Sequence, residues 1–251
     1  MTGAQAKSIN DPLAVFKPTA CDGCEIRSLT FCSVLSPVET DRIRATLKSV
    51  DIEAHTTLFQ EGDPADHLFN VTSGVVKIYK LLPDGRRQIT GFLFPGDFLG
   101  LAYDANYVYS AEAVTAAKLC RFSRAKLLAL FDEMPHMEKH ISATTSHELA
   151  AAQEQMLLLG RKTAQEKIAS FLLMLARRAE AHKGHDHGAA GHGLALPMSR
   201  ADMGDYLGLT IETVSRTFTS LRKAGAIKLP DSGHAEIVDR GRLEALAEGS
   251  F

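Results

Sequence analysis

The chain has 251 residues, 45% of them apolar and 23% charged, with a formal net charge of −2 at pH 7. That balance excludes a disordered or strongly basic nucleic-acid-coating protein and fits one large or two ordinary globular domains. The first twenty residues lack the apolar core of a signal peptide, and no apolar run approaches the ~20 residues of a membrane span, so a cytoplasmic protein is expected.

Residues 1–20 are polar and mixed and read as poorly ordered. Cys21, Cys24 and Cys32 follow as a Cys-x2-Cys-x7-Cys loop within residues 21–35, and the fourth cysteine, Cys120, lies far downstream. In a reducing compartment such cysteines are metal ligands more often than disulfides. Four soft thiolates are the number that an iron–sulfur cube or a tetrahedral zinc requires. Zinc knots usually carry two Cys-x2-Cys pairs; one pair and two single cysteines favour a cluster.

The spacing of Val38, Ile43 and Leu47 predicts a short helix from Pro37 to about Ser49. Residues 51–122 then read as short strands, among them Leu68–Thr72, Val75–Leu81, Gln88–Phe94, Ala111–Val114 and Lys118–Phe122. Turn signals at Glu61-Gly62-Asp63-Pro64, Ser73-Gly74, Pro83-Asp84-Gly85 and Pro95-Gly96-Asp97 separate them, which predicts a small antiparallel barrel or roll. Ser123 stands where it would cap a helix starting near Arg124.

A long helix is predicted from about Met137 to Gly160. There Ile141, Thr145, Leu149, Ala152, Met156 and Leu159 recur at intervals of 4, 4, 3, 4 and 3. That near-heptad seam predicts burial against the same helix of a second subunit, with His147, Glu148 and Glu154 as solvated flanks. Thr163–Ala181 reads as a second amphipathic helix with Ile168, Phe171, Leu172 and Leu175 inward. The histidine-rich stretch from His182 to His192 reads as a solvated loop rather than a metal site.

Ser199 predicts the cap of a helix running to about Leu207, with Asp202 completing a capping box. Gly208-Leu209-Thr210 makes a turn, and Thr210 caps a second helix running to about Ala224. Two short helices joined by a glycine-containing turn present the second one to a major groove. Val214, Phe218 and Leu221 hold that helix to its core, leaving Glu212, Ser215 and Arg216 to face base edges. Thr210 and Thr213 suit phosphate. Residues 210–228 carry Arg216, Arg222, Lys223 and Lys228 against the single acid Glu212, so the basic signal is local. Ile227–Leu229 and Ala235–Val238 read as a wing. The simpler alternative makes Glu212 and Arg216 an ordinary i, i+4 surface pair.

Together the cysteine knot, Gly91-Phe92, Gly96-Asp97-Phe98-Leu99-Gly100, Cys120 and the run Tyr206-Leu207-Gly208-Leu209-Thr210-Ile211-Glu212-Thr213-Val214-Ser215-Arg216 resemble the Crp–Fnr superfamily of bacterial regulators. Within it the chain resembles the FNR type (fumarate and nitrate reduction regulator). The resemblance implies an α+β fold: an N-terminal antiparallel β-roll of the cyclic-nucleotide-binding kind, a long dimerisation helix and a C-terminal winged helix-turn-helix. The implied boundaries are 1–35 for the cluster loop, 36–136 for the roll, 137–160 for the dimerisation helix and 161–251 for the DNA-binding domain. It also implies that Cys21, Cys24, Cys32 and Cys120 hold an oxygen-labile [4Fe–4S] cluster. The homodimer would then bind a palindrome of TTGAT-like half-sites in double-stranded DNA without oxygen or at low oxygen, and contact RNA polymerase. Glu212, Ser215 and Arg216 would be the base readers.

Two departures from the family pattern stand out. The seven residues between Cys24 and Cys32 exceed the interval of the best-known members and resemble the FnrN/FnrL/FixK-like subgroup. Cyclic-AMP-binding relatives carry a glutamate after the Gly-x-x-Gly turn and an Arg-Ser pair shortly beyond, where this chain has Leu101-Ala102 and Tyr109-Ser110. Without a cation to meet a buried phosphate, the roll is expected to be a scaffold that takes no cyclic nucleotide. The alternative keeps the DNA reader and makes the cysteines a zinc site or a thiol-redox switch. No nucleophile elbow, P-loop or His-Glu-x-x-His helix is present, so an enzyme is not expected.

Overall fold

The computed structural model describes residues 16–17, 21, 24–101, 105–181 and 193–249. Most of residues 1–20 and the whole stretch from His182 to His192 lie outside them. The chain divides into two units, Met1–His147 and Glu148–Phe251. Among the described residues, no helix is long and apolar enough to cross a membrane.

The first unit opens with the strand β1 (Phe16–Lys17), two short 3-10 turns (Arg27–Leu29 and Phe31–Val34) and the helix α1 (Pro37–Arg44). Eight strands follow: β2 (Leu47–Ile52), β3 (Thr57–Phe59), β4 (His67–Ser73), β5 (Val76–Leu81), β6 (Arg87–Leu93), β7 (Phe98–Leu99), β8 (Ser110–Ala113) and β9 (Ala117–Ser123). The helix α2 (Arg124–Glu133) leads to the long α3 (Pro135–Arg161), which runs into the second unit. One sheet has the order β1-β2-β9-β4-β7 and the other β3-β8-β5-β6, and their registered pairs are antiparallel. This is the expected roll. Val50, Phe69, Val71 and Leu119 of the first sheet share one buried cluster with Val76, Leu93, Ala111 and Ala113 of the second.

Two local expectations need correction. The helix predicted over Pro37–Ser49 stops at Arg44, and Leu47 instead opens β2, paired with Phe122 of β9. Strand pairing buries Leu47, Val50 and Ile52, whereas Val38 on the helix is 72% exposed, so packing against the sheet outweighed a third helical turn. Ser123 does precede α2, but its side chain makes no capping bond and the residue pairs with His67 as the end of β9.

The second unit contains α4 (Ala164–Ala181), β10 (Leu194–Ala195), α5 (Arg200–Leu207), α6 (Ile211–Lys223), β11 (Ile227–Lys228), β12 (His234–Ile237) and α7 (Arg240–Glu248). Its small sheet has the order β10-β12-β11, so the wing gains a third strand that the sequence reading did not include. Ile168, Phe171, Leu172 and Leu175 of α4 are buried as expected, beside Met203, Leu207, Val214, Phe218 and Leu221 of α5 and α6. The side chains of Leu149, Met156 and Leu157 on α3 are left largely exposed.

Candidate functional site

The cysteine recess forms because strand periodicity turns Cys120 outward. On β9, Leu119 points into the roll interior, whereas Cys120 and Phe122 face the opposite side. That outer face is covered by Phe31 and Leu35 of the cysteine loop, Ile43 of α1, Leu127, Leu130 and Phe131 of α2, and Met137 at the start of α3. Phe31 is the wedge: its ring centroid lies 5.6 Å from those of both Phe98 and Phe122. Across the loop, Gly96 has a φ of +97°, and a Cβ there would stand 2.9 Å from the Cβ of Leu29, so the 95–97 turn must be glycine to seat the loop.

Cys21, Cys24, Cys32 and Cys120 line one recess together with Ile26, Arg27, Thr30, Leu35, Thr40, Ile43, Leu47, Asn70 and Phe122. None of the four is in a disulfide, and each is partly exposed. The loop is braced from within: Thr30 caps the second 3-10 turn by accepting the N–H of Cys32 at 3.2 Å. Arg27 Nη2 donates to the Leu35 carbonyl at 2.9 Å and to Thr40 Oγ1 at 3.0 Å. Burial pushes the Cys24 and Cys32 thiols up, and it pushes Cys120 up to about 12, with the other three sulfurs adding repulsion.

Without a bound cation, burial therefore favours the neutral thiols of Cys24, Cys32 and Cys120, and a metal would displace their protons. The thiols are gathered rather than closed into a coordination shell: among the described residues, no group of three or more His, Cys, Asp or Glu side chains stands at metal-holding spacing. As a donor set they fit an iron–sulfur group, since four soft sulfurs from one loop and one strand share a mainly apolar recess in which, among the described residues, Arg27 is the one cation.

In the second unit, Ser199 accepts the N–H of Asp202, and the Asp202 carboxylate bonds back to the Ser199 backbone and hydroxyl. The predicted capping box thus starts α5. Gly208 ends it in the left-handed conformation with a φ of +63°. Thr210 then caps α6 by accepting the N–H of Thr213, and the two hydroxyls stand 3.1 Å apart at the helix start. Glu212, Ser215 and Arg216 are all exposed, while Val214, Thr217, Phe218 and Leu221 are buried, so the helix has the division that the sequence predicted. The backbone N–H of Glu212 itself, then the Thr210 hydroxyl, hold the Glu212 carboxyl below its ordinary range, with a smaller contribution from Arg216. Among the described residues, Glu212 and Arg216 close no ion pair with each other, which weakens the simple surface-pair alternative.

Two residues of the helix pair escaped the sequence reading. Ile211 is 50% exposed beside Glu212, an apolar side chain of the kind that meets a thymine methyl. Gly204, inside α5, allows the turn to close: a Cβ there would lie 2.6 Å from the carbonyl oxygen of Leu209. A glycine in mid-helix four residues before Gly208 was the available signal.

Known proteins match both units. The cyclic nucleotide-binding domain family matches residues 49–134, and the Crp-like helix-turn-helix domain family matches residues 166–246. The nitrogen fixation regulation protein FixK of Bradyrhizobium diazoefficiens is 43% identical over 227 residues, 90% of this chain and 93% of that protein. The transcriptional activator protein FnrL of Cereibacter sphaeroides is 36% identical over 223 residues, 89% of this chain and 90% of that protein. The structure of FixK2 from Bradyrhizobium japonicum superimposes with a TM-score of 0.73 at 38% identity, covering 80% of this chain and 96% of that one.

Proposed function

Because the chain belongs to the Crp–Fnr family of DNA-binding transcription regulators, which are not enzymes, we propose that it is an oxygen-responsive activator whose four cysteines hold a [4Fe–4S] cluster. One observation carries this reading: Cys21, Cys24, Cys32 and Cys120, up to ninety-nine positions apart in sequence, line the same recess. When bound, the cluster supplies a link between loop and sheet that oxygen can destroy. In this reading residues 1–35 carry the sensor, 36–136 the roll, 137–160 the dimer helix and 161–251 the DNA reader.

The chain's own residues convert that link into pairing. With all four thiols engaged, the cysteine loop is fastened to β9 at Cys120, and Phe31 is pressed between Phe98 and Phe122. With the thiols released, the loop keeps only its noncovalent contacts. The buried cluster that contains Phe31 and Phe122 also contains Met137, and His136 stands 3.4 Å from Glu39 of α1, so the first turn of α3 is anchored in the packing that the loop covers. A change in that packing biases α3, whose Leu149 and Met156 form an apolar stripe suited to the same stripe of a second copy. Only a difference in stability between the two dimer states shifts the balance.

A palindromic operator needs two reading helices, so fewer dimers means less binding. Glu212, Ser215 and Arg216 read bases of a TTGAT-like half-site, Ile211 meets a thymine methyl, and Thr210 and Thr213 hold phosphate. The bound dimer contacts RNA polymerase. The roll serves as a scaffold: Tyr109-Ser110 stands in place of the Arg-Ser pair, leaving no cation at those positions to meet a cyclic phosphate, and the Gly100 N–H is already bonded to the Tyr109 hydroxyl. The second reading replaces the cluster by zinc or a thiol switch. Protein purified without oxygen is expected to be brown and to bleach in air; a colourless protein holding zinc would favour the second reading.

A further inference from the structure

We propose that Arg27 is the counter-charge of the cysteine recess, fixed to the start of α1 so that its guanidinium offsets the negative charge of the four thiolates and the group they hold. The proposal rests on the cluster reading above. Among the described residues that line the recess, Arg27 is the sole cation and none is a carboxylate. Its guanidinium closes no ion pair among the described residues; its bonds are to neutral oxygens, the Leu35 carbonyl at 2.9 Å and Thr40 Oγ1 at 3.0 Å. Thr40 is itself buried and donates to the Ser36 carbonyl at 2.9 Å, so the anchor is fixed.

The Arg27 backbone is bound on both sides of the knot. Its N–H donates to the Cys24 carbonyl at 3.2 Å, and its carbonyl accepts from the N–H and hydroxyl of Thr30, whose oxygen holds the N–H of Cys32. A partly buried cation that meets only neutral acceptors is uncompensated until anionic sulfur arrives. Arginine suits the task because it stays charged and has donors to spare after two are spent on an anchor.

Net charge and hydrogen bonding around sulfur set a cluster's reduction potential, which gives the proposal a readout that a mere brace would not move. The full chain and its Arg27→Gln, Arg27→Lys and Thr40→Val variants are reconstituted without oxygen. Iron and sulfide per chain, midpoint potential and rate of bleaching in air are then measured. Arg27→Gln is expected to lower the potential and bleach several-fold faster; a tenfold loss of preference for the reduced state corresponds to about 59 mV for one electron. Arg27→Lys should restore most of both. Thr40→Val, which removes one anchor but leaves the Leu35 carbonyl and the charge in place, should move the potential much less than Arg27→Gln does, while hydrogen exchange of residues 30–40 speeds up in the cluster-free protein. The proposal is overturned if Arg27→Gln matches wild type, if Arg27→Lys behaves like Arg27→Gln or neither takes up iron, or if Thr40→Val moves the potential as far. A wild-type chain without iron and sulfide would instead sink the cluster reading, and the proposal with it.

Discussion

The hydroxyl of Tyr109 accepts the backbone N–H of Gly100 at 2.9 Å, inside the roll. Next to it, Tyr107 donates to the His67 carbonyl at 2.7 Å and stacks on Phe59 with centroids 3.6 Å apart. Gly100 sits at a φ of +92°, where a Cβ would come within 2.9 Å of the same His67 carbonyl oxygen. The turn is therefore pressed onto β4 and its donor is spent on a phenol. The Arg-Ser pair of cyclic-AMP-binding relatives is replaced here by Tyr109-Ser110.

It follows that cyclic AMP should leave thermal unfolding unchanged. A ligand present at a hundredfold excess over its Kd would stabilise the fold by about 2.7 kcal/mol, an easily seen rise in Tm. Such a rise would contradict the scaffold role.

Gly204→Ala should destabilise the second unit by about 1–3 kcal/mol, the usual cost of forcing a methylene into a packed site. The added Cβ would meet the Leu209 carbonyl oxygen at 2.6 Å, a distance that requires α5 or the turn to move. DNA binding is expected to weaken along with Tm. Unchanged unfolding would mean that the turn adapts without cost.

Much of this architecture was legible because local signals agreed. Alternating apolar residues between glycine and proline turns gave the roll, and Ser199, Asp202, Gly208 and Thr210 gave the two reading helices with their caps. Leu47 was misread because Val38, Ile43 and Leu47 satisfy a helical spacing as well as the start of a strand, and only pairing with Phe122 decides between them. The two-residue strands Phe98–Leu99 and Leu194–Ala195 are too short to carry a period. The four cysteines were readable as a set, but the brace from Arg27 to Thr40 was not, since it joins residues thirteen apart through a tertiary contact.

The α3 stripe should be separable from the fold. Leu149 and Met156 are 60% and 64% exposed in the single chain, so Met156→Glu removes little packing from the subunit. Sedimentation of the cluster-loaded protein should show dimer dissociation strengthened by at least tenfold, about 1.4 kcal/mol, with monomer Tm unchanged. An undisturbed dimer would place the pairing surface elsewhere.

Arg216→Ala should cost about 1–3 kcal/mol of operator affinity, concentrated at one guanine position, because a bidentate contact to a base edge is lost. Ile211→Ala should act at a thymine position instead. Binding measured across a set of single-base operator variants checks both. A uniform loss on all sequences would make Arg216 a phosphate contact.

Oxygen control through Cys21, Cys24, Cys32 and Cys120 is tested most directly by one paired measurement on wild type and Cys24→Ala. Iron, acid-labile sulfide and operator affinity are determined on protein kept free of oxygen, then again after exposure to air. Wild type is expected to hold iron and sulfide and bind tightly, losing both properties together in air, while Cys24→Ala remains folded, empty and weak throughout. Tight operator binding that persists in air, or that Cys24→Ala retains, would contradict the account.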